Sequence, residues 1–210
     1  MPRIVRESDA LPEWCQLKAF SVTTLNEACA QIEPAWPNER LVVAAGSVKV
    51  ARHGGSQVFG TGQFTDFGQD GDGVTVTPVY DTAVIVRLSG EWGPEMGGCG
   101  IFFARDTDAP SNRGDPVSYD KSTSVDSHYH DCDEYWILLE GRATVVVGEE
   151  AAEMRSGDCL CIGMGRRHDM SHAPEPVKAI FFETSLERER RAGHLWEHTH
   201  GPAVPAKGRD

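Results

Sequence analysis

The chain's 210 residues, 40% of them hydrophobic, suffice for one large domain or two small packed units whose core needs no covalent staple. Its 32 acidic side chains against 20 basic ones leave a net charge of -12, which repels phosphate backbones and anionic lipid and argues against nucleic acid or a membrane as partner. No apolar run approaches the roughly 20 residues that span a bilayer, and the first residues lack the apolar centre of a secretion signal. A cytoplasmic protein is therefore expected, with its six cysteines (Cys15, Cys29, Cys99, Cys132, Cys159 and Cys161) as free thiols.

Along the chain, the first helical signal is a capping box, Thr24-Leu25-Asn26-Glu27, ahead of the small residues Ala28, Cys29 and Ala30, which predicts one short helix. Short β-branched and aromatic runs alternate with Gly, Pro, Asn and Asp clusters, at 40–50, 75–79, 83–88, 100–104, 135–139, 143–147, 158–162 and 177–183. Many short strands separated by frequent turns predict an all-β sandwich or barrel. The charged run Glu187-Arg188-Glu189-Arg190-Arg191 fits either a second helix or a solvated face, and the Pro/Gly-rich stretch 201–210 is expected to fray.

The chain also repeats itself. Glu134-(x6)-Gly141 recurs as Glu39-(x6)-Gly46, an offset of 95 residues, and a Val-rich strand follows each copy. Gly62 with Gly157, Gly68 with Gly163, and Leu41-Val42-Val43 with Trp136-Ile137-Leu138 fall in the same register. This predicts two fused β-units, over 1–100 and 101–186, with 187–210 as a C-terminal tail.

Chemistry is concentrated in the second copy. His128 and His130 stand two apart, so on an extended strand both imidazoles share one face while Tyr129 points away. Glu134 opens the returning strand after the tight acidic turn Asp131-Cys132-Asp133, and His168 follows Gly163 and Gly165, which permit a sharp turn. Three imidazoles and a carboxylate form a mixed N/O set suited to one divalent transition metal (Fe, Mn, Ni, Co or Zn) and unsuited to calcium. Shifted by the repeat, His128, His130 and His168 fall on Glu33, Ala35 and Gly73, so the first unit is expected to bind no metal.

His128-Tyr129-His130-(x3)-Glu134-(x6)-Gly141 and Gly157-(x5)-Gly163-Met164-Gly165-(x2)-His168 resemble the two motifs of the cupin superfamily. Two departures stand out: Gly163 replaces the second motif's proline, and its trailing asparagine is absent. With the repeat, the resemblance implies a bicupin whose N-terminal barrel is degenerate. It further implies double-stranded β-helix (jelly-roll) barrels and a homodimer.

Strand alternation then nominates neighbours of the ion. Trp136 shares Glu134's face, Met170 and His172 share that of His168, and Cys159 and Cys161 lie together opposite Leu160 and Ile162. Arg166 and Arg167, at the pocket mouth in cupin geometry, are candidate anchors for an anionic substrate, and Asp131 and Asp133 for capping the turn or bonding the ligand imidazoles. Glu183, ending the apolar strand Ala179-Ile180-Phe181-Phe182, is the candidate acid/base. His194, His198 and His200 fit a second zinc site or, more simply, solvated histidines on a Trp-anchored tail. The expected activity is metal(II)-dependent dioxygenation of an oxygen-bearing small molecule chelated by the ion. Alternatives are isomerisation or epimerisation of a sugar or keto acid, rearrangement of a hydroxylamine-type amino acid ester by a zinc cupin, and a ligand-binding or sensor cupin without turnover.

Overall fold

The computed structural model describes residues 2–110 and 113–209. In chain order the strands are β1 (Arg3–Arg6), β2 (Leu17–Asn26), β3 (Ala30–Ile32), β4 (Asn38–Ala45), β5 (Ser47–Arg52), β6 (Gly55–Gly60), β7 (Phe64–Phe67) and β8 (Val74–Pro78). They continue as β9 (Thr82–Gly90), β10 (Met96–Ala104), β11 (Glu134–Glu140), β12 (Arg142–Val147), β13 (Glu150–Arg155), β14 (Asp158–Ile162), β15 (His168–His172) and β16 (Val177–Ser185). One single-turn helix, α1 (Glu197–His200), completes the described elements. This helix is not long and apolar enough to cross a membrane.

The chain divides into two compact units, Gln16–Trp92 and Met1–Cys15 with Gly93–Asp210. The first pairs β2-β9-β4-β7 in one sheet and β3-β8-β5-β6 in another. Its core gathers the inward residues of both sheets, among them Leu41, Val43, Val48, Val50, Val76 and Ile85. The second unit pairs β1-β14-β11-β16-β10 against a smaller sheet, β13-β12-β15. Its core includes Trp136, Leu138, Val145, Leu160, Ile162 and Met170. In both units the alternation of inward apolar and outward side chains sets the register, because a one-residue slip would turn every core residue outward.

The 95-residue offset reappears in the hydrogen bonding. β4 pairs with β7 and β9 as β11 pairs with β14 and β16, and β5 pairs with β6 and β8 as β12 pairs with β13 and β15. Even the irregularities correspond: the β4–β9 ladder shifts register between Val43 and Ala45, and the β11–β16 ladder between Leu138 and Glu140. Each bulge precedes a glycine at positive φ, Gly46 (75°) and Gly141 (82°), where the chain turns into the next strand. A side chain there would strike Thr82 O or Pro176 O.

Two local expectations fail for identifiable reasons. Thr24 to Glu27 does not start a helix; it ends β2, because Leu25 is buried in the core and the run Val22-Thr23-Thr24 pairs residue by residue with β9. Glu27 takes φ 58° and turns the chain toward β3. The end of the chain does not fray either. The Ala206 amide donates to Met164 O, and Arg209 donates to Asp133 and Glu187, so the last segment lies on the turn that precedes His168. A Cβ on Gly163 would collide with the Arg209 carbonyl, which explains why glycine stands where the resembled motif has proline.

Candidate metal centre

His128 and His168 face each other as an antiparallel bridge, each amide donating to the other's carbonyl (3.2 and 2.9 Å). This pairing puts the two imidazoles side by side on one face. His130, two residues on, is fixed from below by the Gly165 amide, which donates to its carbonyl at 2.9 Å from a turn that needs φ 73°. Tyr129 points the other way, and its hydroxyl donates to Gly201 O. Glu134 enters from the first position of β11. Donor atoms of His128, His130, Glu134 and His168 all lie within 4.8 Å of one another, and all four residues are buried.

The protonation pattern of this cluster follows from its partners. The Nδ1 atoms of His128, His130 and His168 sit 2.7, 3.0 and 2.9 Å from the carbonyl oxygens of Asp126, Gly193 and Arg166. A carbonyl only accepts, so each Nδ1 carries a proton and, in the neutral ring, each Nε2 keeps its lone pair. Two of these lone pairs confront each other, His128 Nε2 and His168 Nε2, at 3.0 Å. Glu134 Oε1 accepts from Trp136 Nε1 at 2.7 Å, which leaves Oε2 aimed at His168 Nε2 (2.8 Å) and His130 Nε2 (3.2 Å). Neither His130 Nε2 nor Glu134 Oε2 has a hydrogen-bond partner.

Burial, reinforced by His168 and His130, holds His128 well below the usual imidazole range. Burial opposes the charge on Glu134, but His130 and His168 outweigh it and hold the carboxyl well below its usual range. Burial also opposes charge on His130, but the facing Glu134 carboxylate outweighs it and raises that imidazole, so without an ion the two form an ionic contact. A divalent cation at these four converging atoms would replace the proton there, leaving neutral imidazoles and an ionised carboxylate as its ligands. The donor set and its outer hydrogen bonds thus fit a metal ion.

Register explains the pocket beside this cluster. Ile162, Glu134, Glu183 and Gly98 form one row across neighbouring strands, and Leu160, Trp136, Phe181 and Gly100 form another. A cavity of about 290 Å³ opens between them, lined by His128, Glu134, Trp136, Phe181 and Glu183 together with Phe102, Phe103, Val125, Asp126 and His194. The glycines of β10 make the room: a Cβ at Gly97 would collide with Glu183, and one at Gly100 with the Phe181 ring. Glu183 is buried, with Oε1 3.9 Å from His130 Nδ1. Burial and the neighbouring Glu134 push its carboxyl up to about 7.

The other nominated residues are spread more widely. Trp136 forms part of the cavity and meets His168 edge to face, with ring centroids 5.4 Å apart. Met170 is packed into the core, and Cys159 and Cys161 do not line the cavity, because β14 directs Leu160 and Ile162 inward instead. Arg166 lines a different hollow, beside Arg3 and Arg209, and Arg167 reaches Glu197. Neither arginine lines the metal cavity. Asp131 and Asp133 bond no imidazole: Asp131 takes a bidentate pair from Arg191 (2.8 and 2.9 Å), and Asp133 accepts from the Met164 amide and Arg209. Burial, reinforced by the surrounding carboxylates, raises the Cys132 thiol far from nucleophilic range.

Sequence reasoning underrated residues 191–195. Leu195 bridges Tyr129, Gly193 O accepts a hydrogen bond from His130 Nδ1, and the His194 ring stacks on His128 at 3.7 Å and 7°. His198 and His200 instead bond Asp115 and the Trp196 amide. The run Gly193-His194-Leu195-Trp196 did signal an anchored segment, but nothing in its spacing shows that the anchor is the metal strand itself.

Comparison with known proteins agrees with this geometry. Residues 117–183 match a family model described as a cupin domain. The chain belongs to the cupin superfamily. Among curated relatives, this cupin is 47% identical over 201 residues to uncharacterized protein y4oW of Sinorhizobium fredii, covering 95% of this chain and 93% of that one. Its fold is shared with AerE from Microcystis aeruginosa (TM-score 0.58, 8% identity, 87% of this chain and 96% of that one). It is also shared with the oxalate decarboxylase of Lactobacillus farciminis, solved as a formate complex (TM-score 0.54, 11% identity, 88% and 86%). At these identities the structural likeness carries the fold alone.

Proposed function

We propose that this cupin is a metal(II)-dependent enzyme that acts on an oxygen-bearing small molecule chelated at His128, His130, Glu134 and His168, with dioxygenation as the favoured reaction. The convergence of three Nε2 atoms and Glu134 Oε2, with each ring held at Nδ1 by a backbone carbonyl, carries this reading. A divalent ion held by these four residues would supply Lewis acidity to a chelated oxygen and leave room for substrate or dioxygen beside it. The protein's own contribution is orientation and proton handling. Trp136 fixes one carboxylate oxygen, the three carbonyls fix the imidazoles, and Glu183 stands in the cavity ready to take or return a proton near neutral pH. Isomerisation through the same chelate would use the same residues. In this reading the Gln16–Trp92 unit is a degenerate cupin barrel, supported by its matching strand pairing.

The test begins with elemental analysis of protein purified without added metal, followed by oxygen-uptake assays over candidate substrates. One transition metal per chain is expected in the wild type and much less in His130→Ala, with turnover present only in the former. A metal content near zero in folded wild-type protein refutes the metal centre. Stoichiometric zinc with no oxygen consumed refutes dioxygenation.

A further inference from the structure

Charge in the cavity is one-sided. Asp126, Glu134 and Glu183 line it, while among the described residues no lysine or arginine does. The basic side chains bonded to the motif's acids are directed elsewhere: Arg191 onto Asp131, Arg209 onto Asp133 and Glu187, and Lys121 onto Asp169. A divalent ion less the Glu134 charge leaves one positive charge for a chelating head group. A second anionic group on the ligand would then face Asp126 and Glu183 with no counter-charge, and in neither protonation state does Glu183 supply one.

Apart from His128, His194 and Ser124, the rest of the lining is apolar and largely flat. Phe102 and Trp136 stand with centroids 5.4 Å apart, Phe181 lies in the recess left by Gly98 and Gly100, and Val125 faces them. Phe103, 71% exposed, forms the rim. Beyond it a second hollow shares Phe103, Ser124 and Val125 and contains Arg105.

We infer that the substrate couples an oxygen chelating head of at most one negative charge to an uncharged, ring-sized apolar body held against Trp136 and Phe181, and that small dicarboxylates are excluded. This rests on the metal reading above and names the substrate class for it. Aromatic walls favour a planar ring, which they contact over its faces and edges. Excluding the dianion follows from the missing cation.

The test holds the chelating head constant. Lactate, mandelate and 2-hydroxyglutarate share an α-hydroxycarboxylate and differ in carrying a methyl, a phenyl or a second carboxylate arm. Each is titrated into cobalt(II)-loaded protein and followed by the visible absorption of the ion. Mandelate should bind at least about tenfold tighter than lactate, and 2-hydroxyglutarate more weakly than lactate. Phe181→Leu and Phe181→Ala should erase most of mandelate's advantage over lactate while cobalt stoichiometry stays near one per chain. The inference is overturned if 2-hydroxyglutarate matches or exceeds mandelate on wild-type protein, a result that needs no variant to fold. It is also overturned if folded Phe181 variants keep the mandelate-to-lactate ratio. Failure to load cobalt at all would instead strike the metal reading, so the two failures are distinct.

Discussion

Trp136→Phe isolates the hydrogen bond that orients the Glu134 carboxylate. The indole Nε1 donates to Glu134 Oε1 at 2.7 Å between two side chains that are both almost fully buried. A buried hydrogen bond to a charged group contributes about 1.5–3 kcal/mol. Without it, Glu134 retains a second acceptor atom in a dry wall and is free to rotate away from His130 and His168. At 1.4 kcal/mol per factor of ten, metal affinity should fall by roughly 10- to 100-fold. Phenylalanine keeps a ring beside Phe102 and His168, whose centroids lie 5.4 Å from that of Trp136, so packing loss is a minor part of the effect. The assay is competition against a chelator of known affinity at fixed pH, with urea unfolding of the metal-free proteins as control. A variant that binds metal within about threefold of wild type would refute the claim that Trp136 positions Glu134.

Other consequences are equally direct. In the first unit, burial favours neutral Glu39, but hydrogen bonds from Arg87, Ser89 and the Ala35 amide outweigh it and hold the carboxyl below its ordinary 4.5. The stability this supplies is present above that ordinary value and lost as pH falls through the lower folded one, so Glu39→Gln should flatten the acid limb of the urea-unfolding curve measured against pH. Arg87→Ala, leaving Glu39 buried without its cation, should cost about 3 kcal/mol at pH 7, toward the low end for such pairs because Arg87 is 24% exposed. Gly163→Ala should drive the Arg209 segment off its turn, read as new protease cleavage after residue 201 with the preceding barrel intact; an unchanged digestion pattern would refute the contact.

The convergence of His128, His130, Glu134 and His168 was legible because their spacing is itself geometry: two histidines at alternate positions of an extended run, and a glutamate opening the next strand. The repeat was legible for the same reason, since glycines at positive φ recur where the chain must turn. The capping box at Thr24 misled because four residues of local preference compete with a nine-residue ladder to β9 and lose. Arg166 and the paired cysteines were misplaced because alternation says which residues share a face but not which face lines the cavity. The role of residues 191–195 was hidden because it depends on a contact some 60 residues apart in sequence, Arg191 on Asp131, made by side chains whose types are common on any surface.

Glu39 and Glu134 occupy corresponding strand positions, yet their charges are balanced from different sources. Arg87 and Ser89 hold Glu39 with groups encoded in the chain, whereas Glu134 faces three imidazoles that bring no charge of their own when neutral. On the proposed reading, the first unit is complete once synthesised, while the second must draw its balancing charge from the surrounding solution. Scarcity of metal in a cell would then reach only one half of the polypeptide, and the protein's abundance and its activity would be governed by separate supplies.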